Sequence, residues 1–271
     1  MNPPDPARLS VQLWSLRNEG RQGAFEVLER LAALGFQFIE PYGIGNRSTA
    51  AEERLKSARD LQAVLETLGL GVSGVHATAP LDGKDADTFR ELELLKTDLC
   101  IVPSPNLVRN SSFESFHKQQ DTIALADSLN AAAALCARHG VTLGYHNHAA
   151  EWHELENGQL AYDVLIDHLD PAIKIELDIY WAQIAGQSPA RVLERLGDRV
   201  VALHLKDGHH DVSPDQPQTP LGEGLVDYRA AVHAAPSALW HILEMDHSSR
   251  IYADLEQSAA QLVGQGLSRW H

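Results

Sequence analysis

Short apolar runs alternate with longer stretches of helical periodicity along the whole chain. Residues 9–13 (LSVQL) are apolar and β-prone and read as a first strand. Residues 23–34 place Phe25, Leu28, Leu31 and Ala32 at helical spacing, and Gly35 supplies a C-terminal stop. The alternation then repeats. Further strands are read at 36–39, 71–75, 99–102, 141–145, 173–177, 200–203 and 238–243. Further helices are read at 49–68, 85–96, 113–139, 160–169, 189–196, 226–235 and 252–263.

Strands that alternate with helices imply parallel βαβ units. Eight such units in a chain of this length predict a closed (β/α)8 TIM barrel, a single α/β domain over residues 1–271. An open doubly wound sheet is the alternative. When it binds a nucleotide, that fold carries a Gly-rich turn after its first strand, and QLWSLRNEG is not one. No linker or shift of composition divides the chain.

Composition narrows the function classes. With 44% hydrophobic and 22% charged residues the chain is ordinary for a globular protein. Its net charge of −15 and the lack of a basic run argue against nucleic acid and against an anionic membrane surface. The N-terminal residues lack the apolar stretch of a secretory signal, and no window is apolar enough to span a bilayer. Cys100 and Cys136 sit in apolar surroundings and read as core thiols in a reducing compartment, so a cytoplasmic location is expected. A homo-oligomer is compatible with all of this.

In such a barrel the active site lies at the C-terminal ends of the strands. Here those ends are Trp14, Glu40, His76, Ser104, His146 with His148, Asp178, His204 with Lys206, and Glu244. Six of the eight strands deliver a carboxylate or an imidazole, and buried strands rarely do so unless the groups are paired or bind a metal. Asp178, His204 and Glu244 come from three consecutive strands and can converge on one divalent ion. The fourth ligand is expected from VTLGYHNHAAEW, residues 141–152, with Glu151, His146 and His148 as candidates. A mixed carboxylate and imidazole set suits Mn²⁺, Mg²⁺, Co²⁺ or Zn²⁺, and an oxygen-rich one leans to Mn²⁺ or Mg²⁺. Lys206 points the same way as His204 on an extended strand.

Bland readings stand beside these. Asp178 could cap a helix, His204 could be a satisfied core histidine, and Glu40 could cap the helix that follows it. His209, His210, His241 and His247 read as surface residues or as support for the site. Trp14 and Trp181 could be core aromatics, although an aromatic at a barrel mouth often stacks on a sugar.

VQLWSLR, GFQFIEPYG, GYHNHAAEW, IELDIYWA, VVALHLKDG, GEGLVDY and ILEMD together resemble the xylose-isomerase-like TIM barrels, the sugar phosphate isomerase/epimerase superfamily, and its YHNH-containing subgroup in particular. The resemblance covers nearly the whole chain. It implies one divalent metal on a carboxylate-rich set that includes Asp178, His204 and Glu244, and the oxygen-rich ligand chemistry makes Mn²⁺ the preferred ion. Many sugar epimerases of the superfamily have a glutamate at the end of strand five, where this chain has His146. That departure suggests that Glu151 reaches back to complete the metal set, leaving His146 or His148 as general base.

The expected activity is chemistry next to a carbonyl of a sugar or polyol, as in an isomerase or epimerase of a keto-sugar. His148, with a pKa near neutral, would remove the proton. Lys206 would hold a hydroxyl or stabilise the enediolate, and Glu40, His76, Trp14 and Trp181 would contact substrate. The loop over residues 208–224 would serve as a lid. Dehydration, hydration or elimination on a 3-keto-sugar or inosose is the alternative outcome. A metal-dependent endonuclease-like phosphodiesterase is a further one, and the acidic charge counts against it. A sugar-binding protein without turnover is the third.

Overall fold

The computed structural model describes residues 5–19, 23–81, 85–210 and 217–271. Nine parallel strands run in the order β3-β2-β1-β9-β8-β7-β6-β5-β4 and form a nearly closed barrel in a single domain. They are β1 (Ala7–Gln12), β2 (Phe38–Glu40), β3 (Gly71–Val72), β4 (Val75–His76), β5 (Leu99–Val102), β6 (Thr142–His146), β7 (Lys174–Asp178), β8 (Val200–Leu205) and β9 (Trp240–Leu243). The helices between them are α1 (Ala24–Ala33), α2 (Ala51–Leu68), α3 (Ala86–Leu94), α4 (Gln119–Arg138), α5 (Ala161–His168), α6 (Ile179–Ile184), α7 (Pro189–Leu196), α8 (Tyr228–Ala234) and α9 (Ile251–Gly264). A short β10 (Ser268–Arg269) pairs with the start of β1.

The third expected strand is two pieces of one extended segment. β3 pairs with β2 and β4 pairs with β5, so the chain changes neighbours at Ser73–Gly74. The helix expected over 113–139 is also divided. A 3-10 turn, Phe113–His117, is capped at its start by a pair of serines: Ser112 Oγ accepts from Glu114 N and Ser115 Oγ accepts from Ser112 N. Lys118 is then extended, and α4 starts afresh. Serines compete with the backbone for its own hydrogen bonds, which favours a separate turn over a longer helix.

Strand alternation sorts the side chains into two cores. Leu9, Val11, Leu177, Leu203 and Leu205 join the large cluster packed under the helices. Leu99, Ile101, Ala202, Trp240 and Ile242 form a small separate cluster with Phe38, which is the apolar filling of the barrel itself. Below it the Arg8 guanidinium lies 4.0 Å from the Trp240 ring and 5.0 Å from Phe38. Gly144 on β6 is part of this packing, because a Cβ there would meet Ile101 Cδ1 at 2.3 Å. Above the filling the inward strand residues are Glu40, His76, His146, Glu176, Asp178 and His204, all polar and buried, so this layer is the floor of the site.

Both cysteines are buried, as expected of core thiols. His241 is buried too, with Nδ1 2.7 Å from Ser268 Oγ, and is neither on the surface nor in the site. No helix among the described residues is long and apolar enough to cross a membrane. Residues 211–216 of the loop expected to act as a lid lie outside the described residues.

Candidate active site

The inward side chains at the strand ends form one connected network. Glu176 is at its base. It lies two residues before Asp178 on β7, so both face inward. Its Oε1 atom is 2.7 Å from His76 Nε2, 3.1 Å from His146 Nδ1 and 3.0 Å from His204 Nε2. Glu40 Oε2 accepts from Gln12 Nε2 at 2.7 Å and lies 2.8 Å from His204 Nε2. The other face of His204 is held by Glu244, with Nδ1 2.7 Å from Oε2. Lys206 Nζ reaches Asp178 Oδ2 at 3.0 Å, Glu244 Oε2 at 2.7 Å and Asp246 Oδ2 at 3.2 Å.

Asp178 has two tasks. Oδ1 accepts from Trp181 N at 2.9 Å and caps α6, so the capping role weighed from the sequence is real. Oδ2 is turned into the site, 3.9 Å from His146 Nε2. Asn147 fixes the strand end by bonding the Asp178 main chain twice: Oδ1 accepts from its N–H at 3.0 Å and Nδ2 donates to its carbonyl at 3.3 Å.

His146, Asp178, His204 and Glu244 each offer a ligand atom within 4.8 Å of the others. Two nitrogens and two oxygens form a donor set for a first-row divalent ion. Asp178 Oδ2 is buried and makes no hydrogen bond beyond its ion pair with Lys206 Nζ at 3.0 Å, so it keeps lone pairs to offer a cation. His76, His146, Glu176 and His204 form a second group of the same size. Their nitrogens already meet one Glu176 oxygen at hydrogen-bond distance, so this group reads as the carboxylate support that fixes ring orientation beneath the ligands.

Electrostatics divides the carboxylates. Burial opposes charge on Glu176, but His204 and His76 outweigh it and hold the group well below the usual carboxylate range. Glu244 is also held well below that range, against burial, by Lys206 and His204. Burial pushes Asp178 up to about 6, and burial with the Glu176 charge pushes Glu40 up to about 7. Burial lowers His146 well below its ordinary value, helped by the charge on His204. Glu176 therefore receives the Nδ1 proton of a neutral ring and leaves the Nε2 lone pair facing Asp178.

The expected residues are distributed unevenly. His146, Asp178, His204, Glu244 and Lys206 come together. Glu151 does not join them: its Oε1 accepts from the Tyr145 hydroxyl at 3.0 Å, in a buried turn beside the strand. His148 faces the cavity, but burial and the Lys206 charge push its pKa to about 4 and not to neutrality. A cavity of about 300 Å³ opens above the network. His76 and Trp14 line it, with Tyr42, Ser104, Leu107 and Asp246. Glu40 is fully buried beneath His76 and His204 and is not on the wall. Trp181 stands back from the wall, its ring centroid 6.0 Å from that of His148.

Sequence reasoning missed Glu176, Gln12, Asn147, Tyr42 and Asp246. The signal for Glu176 was its two-residue offset from Asp178, which places both on one strand face. The signal for Gln12 was the same offset from Ser10 and from Trp14.

The family model described as xylose isomerase-like TIM barrel matches residues 28–265. An inosose dehydratase from Geobacillus kaustophilus is 29% identical over 152 residues, which is 51% of this chain and 46% of that protein, so the chain spans about half the length of this curated relative. Among solved structures, a sugar phosphate isomerase/epimerase from Parabacteroides distasonis has a TM-score of 0.76 at 20% identity, covering 100% of this chain and 97% of that one. The probable 3-DHS dehydratase AsbF from Bacillus anthracis has a TM-score of 0.69 at 15% identity, covering 95% and 98%. At such identities the structural likeness speaks for the fold.

Proposed function

For this chain, which belongs to the xylose isomerase-like TIM-barrel family, we propose a divalent-metal-dependent enzyme that acts next to the carbonyl of a sugar or polyol. The observation that carries the reading is the convergence of His146, Asp178, His204 and Glu244 within 4.8 Å at the mouth of the barrel. These four residues would hold the metal. The metal, when bound, would supply Lewis-acid polarisation of a carbonyl and its neighbouring hydroxyl, with Mn²⁺ the preferred ion.

The chain's own residues would do the rest. His148 lies on the cavity wall with a buried Nδ1 that makes no hydrogen bond, and it would be the imidazole that accepts a proton from carbon. Lys206 stays charged, because Asp178, Asp246 and Glu244 outweigh the effect of burial. It would donate a hydrogen bond to oxygen that gains negative charge. Trp14 and Tyr42, which are partly exposed at the rim, would receive the apolar face of a sugar ring. A neutral substrate suits this wall, because Arg17, whose guanidinium lies over the Trp14 ring, already donates to the Trp14 and Asp246 carbonyls. Two buried thiols suit a cytoplasmic setting.

Proton abstraction leads to isomerisation or epimerisation when the proton returns to carbon. It leads to dehydration when a β-hydroxyl leaves. The likeness to an inosose dehydratase favours keeping the second outcome beside the first. The test is a panel of keto-sugars and inososes incubated in ²H₂O with Mn²⁺-loaded protein. Deuterium entry at the carbon next to the carbonyl, lost in the His148→Ala variant, is the expected result. Absence of exchange and of turnover with every member of the panel would refute the proposal.

A further inference from the structure

Among the described residues, one cation already stands where the metal reading requires a second. Lys206 Nζ lies 3.0 Å from Asp178 Oδ2 and 2.7 Å from Glu244 Oε2. These are the oxygens turned toward His146 and His204 in the four-residue donor set. The Lys206 side chain is 1% exposed, so water screens it little. A third carboxylate, Asp246, lies 3.2 Å away on the cavity side, and its own side chain is 18% exposed. Asp246 is braced by Gln218, whose Nε2 donates to Oδ2 at 3.2 Å.

We infer that Lys206 is a tethered rival of the metal, and that Asp246 sets how strongly it competes. The inference rests on the metal reading of His146, Asp178, His204 and Glu244. Two carboxylate oxygens cannot give their full negative field to a dication and to an ammonium group at once. Whatever holds the ammonium toward Asp246 frees Asp178 and Glu244 for the metal. Asp246 is thus a positioning residue that acts through Lys206, and metal affinity is tuned by a side chain that is not itself a ligand. The arrangement also keeps two buried carboxylates, Asp178 and Glu244, and the partly buried Asp246 from standing together without a counter-charge.

The experiment is a titration of the chelator-stripped protein with Mn²⁺, and separately with Mg²⁺ and Zn²⁺, read by calorimetry or by competition with a metal indicator. Lys206→Gln is expected to bind Mn²⁺ about tenfold more tightly than the unsubstituted protein. Asp246→Asn is expected to bind about tenfold more weakly, because the ammonium then rests wholly on Asp178 and Glu244. In the Lys206→Gln background the Asp246→Asn effect should shrink to less than about threefold. Unchanged or weaker binding by Lys206→Gln would overturn the inference while leaving the metal reading intact. If Lys206→Gln does not fold, unchanged affinity in Asp246→Asn overturns it instead. No binding by any of these proteins would overturn both.

Discussion

Glu176 Oε1 lies 3.1 Å from His146 Nδ1, and that contact decides which nitrogen of the ring faces the cavity. The acid is fully buried, and the same oxygen also meets His76 and His204. Replacing it with Gln keeps the size and removes the charge that fixes the ring. Supports of this kind typically contribute 10- to 100-fold in metal affinity. Glu176→Gln should therefore weaken Mn²⁺ binding by about that factor in a metal titration. Affinity equal to that of the unsubstituted protein would mean that the imidazoles are oriented by something else.

The barrel was legible because its periodicities are local. Eight apolar runs separated by amphipathic helices need no tertiary information to be read. The strand ends were legible for the same reason, since His146, Asp178, His204 and Glu244 each follow an apolar run. Glu176 was hidden because a carboxylate inside IKIEL looks like an interruption of a core strand until its inward partner Asp178 is paired with it. Glu151 was misleading in the opposite way. It lies only five residues past His146 in sequence, but a 3-10 turn, Ala150–Trp152, directs its carboxylate to Tyr145. Which way a side chain points after a strand depends on the turn that follows. The division of the third strand at Ser73–Gly74 depends on which neighbour is nearer, and that is a property of the closed barrel.

His241 gives a pH dependence with a definite sign. It is buried against Ser268 and burial lowers its pKa from 6.5 to about 4. The unfolded chain takes up the proton first, at about 6.5. Stability from this residue is therefore complete above pH 6.5 and is lost as pH falls toward 4. The shift corresponds to a loss on the order of 3 kcal/mol. His241→Gln has no ring to titrate and should show a flatter acid limb in denaturant unfolding between pH 7 and 4. Parallel curves for the two proteins would show that His241 does not contribute.

Gly144 and Ile101 form a second testable pair on the barrel floor. A Cβ at 144 would lie 2.3 Å from Ile101 Cδ1 and 3.3 Å from the Lys174 carbonyl oxygen. Overpacking of this kind costs about 1–3 kcal/mol. Gly144→Ala should lower stability by that amount, and Ile101→Val, which removes the clashing methyl group, should restore part of it in the double variant. Simple additivity of the two losses would mean that the clash is relieved elsewhere.

Just past β8, one carboxylate gathers the two described ends of the loop that follows. Asp207 receives four main-chain N–H groups on one carboxylate: Gly208 at 2.9 Å, Gly222 at 2.9 Å, Gly224 at 3.1 Å and Val226 at 3.0 Å. It adjoins Lys206 just past the end of β8, so the residue that closes the loop also fixes the backbone beside the ammonium side chain. Gly224 must lack a side chain, because a Cβ there would lie 2.2 Å from Asp207 Oδ1 and 2.3 Å from Gly208 N. Asp207→Ala leaves several buried donors without an acceptor, at a cost of about 3 kcal/mol or more. Gly224→Ala should act in the same direction by pushing the clip apart. Both variants should unfold at lower denaturant concentration, and in both the Lys206-dependent difference in metal affinity should shrink, because the lysine is no longer aimed. A destabilised Asp207→Ala protein that still shows the full effect of Lys206→Gln would confine Asp207 to closing the loop.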